Sequence, residues 1–415
     1  MTIKELKGKT VALLASGGLD SCTITKWLSM NGVRVICITV DLGQPDEPDL
    51  EAVRERLLKC GAEEALVIDA KEDLAQFGLI GLMAQARYEG DYWNTTGIAR
   101  YVTVEAALKQ MALRKIGILA HGATGRGNDQ VRFQLATNML QPNIEIYAPW
   151  RDRAFLDMFG GRKEMIDFCE SNGVPIVQSH AKSYSTDSNL LGLTHEAGAL
   201  ESLETSVHFV EPEMGVLPVN APDRAESFSV EFEKGIPVAI DGVKVSELEA
   251  FKIANLIGGR NAIGICTHLV ENRFVGIKSR GVYEAPGMEL LGKCFEFVLQ
   301  TTLDRRAREL YDSLSSYIGK QIYEGYLLSP GGIIAMSSVR GFAALVSGKI
   351  TVQLYKGNIS FHSFEASETE DLTLYSAADS SMEKEGSFDH ADSEGFLRVL
   401  GVTARKMHRQ TIAMA

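Results

Sequence analysis

Ser16-Gly17-Gly18-Leu19-Asp20-Ser21 closes an apolar run, Thr10 to Ala15, and opens a helix-like stretch, Cys22 to Asn31. A strand that ends in a Ser/Gly turn and starts a helix makes an anion site. The glycines let the backbone curl around an oxyanion. The helix start turns unpaired N–H groups and the positive end of its dipole on that charge. No Gly-Lys-Ser/Thr follows, so this is not a Walker loop, and no third glycine stands at the dinucleotide spacing. A lysine-free loop of amides and small hydroxyls suits holding pyrophosphate as an intact leaving group while a nucleophile attacks the α-phosphate. For these six residues alone, the plainer reading is a tight strand-to-helix turn.

Two further loops have the same character. Asp41-Leu42-Gly43-Gln44 follows the apolar run Arg34–Val40, and His121–Asp129 follows the strand-like Ile116–Ala120. The second loop packs Thr124, Arg126, Asn128, Asp129 and Arg132 around three glycines. Thr and Asn bond carboxylates, and Asp holds an ammonium. Asn128 and Arg132, four apart, share one side of a helix.

Placing three such loops on one edge requires a sheet. Strand-like Thr10–Ala15, Arg34–Val40, Ala65–Ile68, Ile116–Ala120 and Ile144–Ala148 alternate with helix-like Glu51–Cys60 and Val104–Arg114. Gly61 stands as the cap of the first. The expectation is an α/β fold, a doubly wound parallel sheet, with ligands beyond the carboxyl ends of its strands. From about Ser171 the pattern becomes α+β. Glu211–Pro222 reads as a loop, Phe228–Phe232 as a half-exposed strand, and Asp241-Gly242 as a hairpin turn between Pro237–Ile240 and Lys244–Val245. Ser246–Ile257 reads as a helix ending at Gly258-Gly259. Phe342–Val346 and Ile350–Tyr355 read as paired strands, with Lys356-Gly357-Asn358 as a turn. An acidic, Ser-rich stretch, Glu365–Asp389, leads to a helix over Ser393–Gln410 with a basic last turn. That helix reads equally as an arm on a neighbouring subunit or as a helix docked on its own domain.

Composition narrows the function. The chain has 415 residues, 45% hydrophobic and 23% charged, with a net charge of −12. That acidic balance argues against a broad nucleic-acid footprint. Six scattered cysteines without a C-x-x-C pair fit reduced thiols of a cytoplasmic protein, not a disulfide frame or a zinc site. No apolar run approaches the roughly 18–20 residues of a membrane span. Lys4, Lys7 and Lys9 precede an apolar patch too short for a signal peptide, which reads as the first strand.

At His121–Phe133, H-G-A-T-G-R-G-N-D-Q-V-R-F, the chain closely resembles the argininosuccinate synthase family, whose first loop S-G-G-L-D-T/S matches Ser16–Ser21. The family's A-P-W-R and G-R-K-E-M-I match Ala148–Arg151 and Gly161–Ile166, and its V-E-N-R-F-V-G-x-K-S-R-G-V-Y-E-x-P-G matches Val270–Gly287. Asp392–Phe396 resembles a late D-A-x-G-F element. The resemblance implies that ATP, citrulline and aspartate give argininosuccinate, AMP and pyrophosphate with Mg²⁺, and it implies a homotetramer. It implies a nucleotide-binding domain over residues 1–170, a synthetase domain over 171–363 and a C-terminal helical arm over 364–415.

Carried over by position, ATP falls to Leu14, Ala15, Ser16, Gly17, Gly18, Leu19, Asp20, Ser21, Cys22, Val40 and Gly122. Aspartate falls to Thr124, Asn128 and Asp129. Citrulline falls to Tyr92, Thr96, Asn128, Arg132, Ser185, Thr194, Glu196, Glu271 and Tyr283. Arg100 lies in the same segment as Tyr92 and Thr96. Asp20 is the one carboxylate on the Mg²⁺ side; no protein metal ligand set and no catalytic acid or base is assigned. The chain departs from many members at Ala15 (Tyr there), Gly97 (Ser) and Tyr101 (Pro). A tRNA-modifying enzyme with the same loop and a non-enzymatic adenine-nucleotide sensor are the competing readings. The acidic charge and the scattered cysteines argue against the first, and the polar second half against the sensor.

Overall fold

The alternation of apolar strands and helices resolves into a parallel sheet in the computed structural model, which describes residues 1–47, 49–175, 184–367, 371–383 and 386–414. Its first half contains β1 (Thr10–Leu14), β2 (Arg34–Asp41), β3 (Glu64–Asp69), β4 (Ile118–His121) and β5 (Glu145–Tyr147). The helices are α1 (Ile3–Leu6), α2 (Leu19–Met30), α3 (Leu50–Lys59), α4 (Lys71–Met83), α5 (Thr95–Arg114), α6 (Asp129–Leu140), α7 (Arg153–Met158) and α8 (Arg162–Ser171). Strand order is β3-β2-β1-β4-β5, all parallel. Val35 through Val40 are buried without a break, as a strand covered on both faces requires. Along β1, Val11 and Leu13 enter one apolar cluster with Trp27 and Phe155, while Ala12 and Leu14 enter another with Ile98 and Val102. Helices therefore lie on both faces. The chain runs outward from β1 to β2 and β3, then returns to place β4 on β1's other side. That reversal opens a crevice over the carboxyl ends of β1 and β4.

The second half begins with β6 (Ser185–Asn189) and β7 (Gly192–Glu196), followed by β8 (Glu226–Glu233), β9 (Ile236–Ile240), β10 (Val243–Lys244), α9 (Glu247–Arg260), β11 (Thr267–Asn272) and β12 (Lys278–Glu284). Then come α10 (Pro286–Thr302), α11 (Arg305–Glu324), α12 (Pro330–Ala343), β13 (Gly348–Tyr355) and β14 (Asn358–Ala366). Two antiparallel sheets result, β10-β9-β8-β13-β14 and β11-β12-β7-β6. The expected hairpin at Asp241-Gly242 is present, both residues at positive φ. The expected pairing of Phe342–Val346 with Ile350–Tyr355 is corrected. Buried Ala335, Met336, Val339 and Ala343 continue a helical period through that segment, so Phe342 belongs to α12. The partners of β13 are β14, across the positive-φ turn Lys356-Gly357, and β8. Helix α9 does not end at Gly258-Gly259 but continues to Arg260; these glycines serve close packing, Gly259 lying on Met214 and Gly215 with no room for a Cβ.

The two halves share one apolar cluster, in which Ala12, Ile98, Phe228, Phe295 and Val352 all take part. Polar links also fix the halves near the crevice, two of them through backbone groups. Leu190, in the β6–β7 turn, donates its N–H to Leu42 O after β2 (2.8 Å). Tyr101 on α5 accepts the N–H of Leu327 between α11 and α12 (3.0 Å). Met1–Leu372 packs as one compact unit and Thr373–Ala415 as another. The second unit contains α13 (Ala377–Ser380) and α14 (His390–Met414), with Phe396, Leu397 and Leu400 exposed on α14. Within Glu365–Asp389, residues 368–370 and 384–385 lie outside the described residues. Among the described residues no helix is long and apolar enough to cross a membrane.

Tyr101→Phe removes the acceptor of a buried N–H while keeping the ring. Denaturant unfolding is expected to show a loss of about 1–3 kcal/mol; unchanged stability would mean that the bond does not anchor the α11–α12 junction.

Candidate active site

The loop after β1 has the geometry its glycines suggest. Gly17 sits at φ +78°, and a Cβ there would lie 2.6 Å from Val53 Cγ1. Its carbonyl accepts from Arg56 Nη1 at 2.8 Å and from the Cys22 thiol at 3.4 Å. Gly18 caps α2 at an ordinary φ of −73°, and a Cβ there would meet only Ser16 Oγ at 3.6 Å. So Gly17 answers to the fold and Gly18 borders open space at a helix N-terminus. Ser16 N–H donates to Ser21 Oγ (3.0 Å), which curls the loop over the first turn of α2. Asp20 accepts from Trp150 Nε1 (3.3 Å); burial pushes its carboxyl up, against that bond. Leu14 and Ala15 are buried in the strand end, and Ala15 O accepts from Thr39 Oγ1 at 2.7 Å. Leu19 and Cys22 lie in the first turns of α2, Val40 near the end of β2, and Gly122 just past β4. The residues matched to ATP therefore all stand at the carboxyl ends of β1, β2 and β4.

The second group joins α5 to the start of α6. Thr96 and Arg100 share a side of α5, whereas Tyr92 precedes it, outside the helix. Arg100 binds Asp129 Oδ2 through Nε (3.0 Å) and Nη2 (2.8 Å), and Arg132 Nη1 binds Asp129 Oδ1 (2.8 Å). Burial alone would raise the Asp129 carboxyl; the two guanidiniums outweigh it and bring it down to about 2. Arg100 also reaches Asp187 Oδ2 at 2.5 Å. Asn128 is buried and accepts the Phe274 N–H (2.9 Å), tying the β11–β12 hairpin to the start of α6. Thr124 is exposed on its loop.

The third group is one face of the β11-β12-β7-β6 sheet. Ser185 stands opposite Glu196 and Glu196 opposite Gly281; Asp187 stands opposite Thr194 and Thr194 opposite Tyr283. Glu271 stands opposite Ser279, two residues from Gly281. Directly opposed residues of antiparallel strands share a face, so the matched residues from β6, β7, β11 and β12 line one surface. Tyr283 OH donates to Glu271 at 2.9 Å, and Tyr323 OH donates to the same carboxylate. Tyr92 stacks on Tyr283 (4.2 Å between centroids) and accepts the Thr96 N–H (3.0 Å); Thr96 and Thr194 hydroxyls lie 3.3 Å apart. Burial, eased by Arg273 at 3.2 Å, pushes Glu196 up to about 7, but its side chain keeps 41% of its surface open, and solvent weakens that push.

Four contributors were not singled out from sequence. Tyr323 lies in amphipathic α11 and reads as a core aromatic. Asp187 carried a usable signal, two residues from Ser185 on the same strand face. Gly281 must lack a side chain, because a Cβ would meet Tyr283 OH at 2.3 Å. Arg273 bonds Ser279 Oγ (2.7 Å) and Glu196. The departures at Gly97 and Tyr101 share a physical cause: a Cβ at Gly97 would lie 2.9 Å from Ile322 Cγ2, and Tyr101 holds Leu327, so both accommodate the α11–α12 junction.

An oxyanion cradle, a paired Arg/Asp cluster and an acidic, phenol-lined sheet face are fit to bind a polyphosphate and two zwitterionic substrates. Comparison with known proteins gives the same direction. The family model described as the arginosuccinate synthase N-terminal HUP domain matches residues 10–175, and the arginosuccinate synthase C-terminal domain matches residues 184–407. The argininosuccinate synthase of Rhodopirellula baltica is 42% identical over 97% of this chain and 98% of its own, and that of Thermotoga maritima 37% over 94% and 95%. The chain belongs to the argininosuccinate synthase family. A 4-thiouridine synthetase in complex with RNA and ATP overlaps 40% of this chain and 41% of its own at 14% identity and a TM-score of 0.28, too slight a likeness to bear on the family's fold or site.

In this family member the two loop glycines separate cleanly by experiment. Gly17→Ala is expected to lower stability by roughly 1–3 kcal/mol, from positive φ and the Val53 clash. Gly18→Ala is expected to keep the melting temperature while removing ATP-dependent turnover. Near-normal turnover in Gly18→Ala would take the cradle out of the site.

Proposed function

We infer that the protein condenses citrulline with aspartate, using ATP and releasing AMP and pyrophosphate. Family membership supports the reaction. The observation that carries it to this chain is the lysine-free cradle beside the Arg100–Asp129–Arg132 cluster. The triphosphate lies with its β- and γ-phosphates on the N–H groups of Ser16–Ser21 and the start of α2, and adenine lies against Leu14 and Val40. The α-phosphate then faces the crevice between β1 and β4. Citrulline lies along the sheet face of Ser185, Thr194, Glu196, Glu271 and Tyr283, with Tyr92, Thr96, Asn128 and Arg132 on its other side. Its α-ammonium pairs with the Glu271 end. Aspartate lies at Thr124, Asn128 and Asp129. Asp129 already accepts three N–H bonds from arginines; a carboxylate has about four acceptor positions, which leaves one for the ammonium.

The ureido oxygen of citrulline attacks the α-phosphorus, and the bond to the bridging oxygen breaks. The loop amides stabilise the charge gathering on pyrophosphate. The aspartate ammonium gives a proton to an oxygen of pyrophosphate or of the AMP phosphate; the freed amine then attacks the activated ureido carbon, and AMP leaves with the former ureido oxygen. The protein's share is positioning and phosphate electrostatics. Mg²⁺ supplies further charge neutralisation on the phosphates. Among the described residues no cluster of three His, Cys, Asp or Glu stands ready for a metal. Asp20, at the start of α2, is the carboxylate that would face an ion carried by the triphosphate, the usual manner of Mg²⁺. Residues 1–170 act as the nucleotide half, 171–363 as the synthetase half and 364–415 as the arm, in a cytoplasmic homotetramer. The exposed apolar residues of α14 support the last point.

Purified protein with ATP and Mg²⁺ is expected to release pyrophosphate and AMP only when both amino acids are present. Release with neither would favour a different member of the same nucleotide fold, and ATP binding without release a sensor. Glu271→Gln is expected to raise the citrulline KM about tenfold or more and leave the ATP KM within a few-fold, a charged hydrogen bond being worth about 1.5–3 kcal/mol. Equal rises would misplace citrulline.

A further inference from the structure

Tyr323, on the last turn of α11, touches both charged ends of the citrulline surface. Its hydroxyl donates to Glu271 Oε2, and its backbone carbonyl accepts from Arg132 Nε at 3.0 Å. Its ring is clamped: Tyr88 stacks on it at 3.6 Å with parallel planes, and the Arg132 guanidinium sits 5.1 Å from its centroid. The hydroxyl of Tyr88 is in turn fixed on Asn272 O at 2.8 Å, next to Glu271 on β11. The helix stops at once after Tyr323 and Glu324, where Gly325 takes φ +89° and lies against Arg132. The residue is thus held in a single place by both its backbone and its ring. The opposite oxygen of the same carboxylate receives Tyr283 OH. Burial and the adjacent Glu271 push both phenols upward, so both stay protonated and donate.

We propose that Tyr323 is a positioning residue that sets the aim of Glu271 and its spacing from Arg132, and through that spacing selects a substrate with an α-ammonium and an α-carboxylate. This rests on citrulline lying at Glu271. Tyr283 holds Glu271 Oε1, which Ser279 Oγ also approaches at 3.4 Å, and Tyr323 holds Oε2. Donors on both oxygens fix the plane of the carboxylate, so its remaining lone pairs keep fixed directions. Among the described residues Arg132 uses two of its five N–H groups, on Asp129 and on Tyr323 O, which leaves donors for an anion. An acidic receptor and a basic receptor, joined through the hydroxyl and the backbone carbonyl of one residue, form a gauge for an amino-acid head group. The tyrosine itself stands behind Glu271 and acts through it.

Tyr323→Phe keeps the ring on Tyr88 and the carbonyl on Arg132, and removes only the hydroxyl. With the full-length protein, initial rates are measured while each substrate is varied in turn. The expected result is a rise in citrulline KM of about tenfold or more, with ATP and aspartate KM within about twofold and the loss falling on KM more than on kcat. An unchanged citrulline KM, or parallel rises for all three substrates, would overturn the proposal. The same substitution in a Glu271→Gln background tests action through the carboxylate by coupling. Once the carboxylate charge is gone, losing the hydroxyl should cost little more, and a second full tenfold loss would contradict action through Glu271. If the wild type itself shows no citrulline-dependent pyrophosphate release, it is the reaction that falls, a result separable from any difference between variant and wild type.

Discussion

The reversal of strand order between β1 and β4 is the constraint on which the remaining geometry rests. Only there do two neighbouring parallel strands send their connections apart, one into α2 and the other into the loop before α6. The gap lets a backbone cradle and an amino-acid site adjoin without sharing a segment of chain. Everything else supplies walls. The β6–β7 turn is fastened to the end of β2 through Leu190 and Leu42, and α11–α12 is fastened to α5 through Tyr101. These links carry the β11-β12-β7-β6 face, with Thr194 against Thr96, to the open side of the crevice.

Charge in that crevice is balanced locally. Arg100 spans Asp129 and Asp187, and Arg132 spans Asp129 and the Tyr323 carbonyl. Taking unpaired charges out of water costs several kcal/mol each, and buried Arg132 and half-buried Arg100 each have a carboxylate within 3 Å. The pairing also holds the donors in fixed directions before any substrate arrives. Preorganisation of this kind is how positioning catalysis lowers a barrier without an acid or base group. Glu271 is treated differently. The phenols of Tyr283 and Tyr323 donate to its two oxygens, and in the proposed reaction the ammonium of citrulline becomes its further partner.

Much of this was legible in the sequence where chemistry and local pattern coincide. The lysine-free Ser/Gly loop, the continuous apolar run of β2 and the Asp241-Gly242 turn each announce their conformation through properties of a few adjacent residues. The family resemblance pointed to Glu271 and Tyr283. It did not bring out Tyr323, because nothing within α11 distinguishes a phenol that reaches a carboxylate from one that fills a core; the distinction lies in β11, some fifty residues earlier. Gly281 was hidden for the same reason, its need for a bare Cα coming from the ring of Tyr283 folding back over it. Phe342–Val346 misread as a strand because five residues cannot show that Ala335, Met336 and Val339 extend their period. Gly97 and Tyr101 make sense only beside Ile322 and Leu327.

The central claim is that the cradle holds pyrophosphate while citrulline takes the adenylyl group, before aspartate acts. Positional isotope exchange tests that most directly. ATP labelled with ¹⁸O at the β-nonbridging positions is incubated with enzyme, Mg²⁺ and citrulline, without aspartate. Scrambling of label into the αβ-bridging oxygen, dependent on citrulline, is the predicted result, because pyrophosphate formed beside a citrullyl adenylate can rotate and return. No scrambling of label before aspartate is added would contradict a separate adenylation step and leave the loop as a binding element alone.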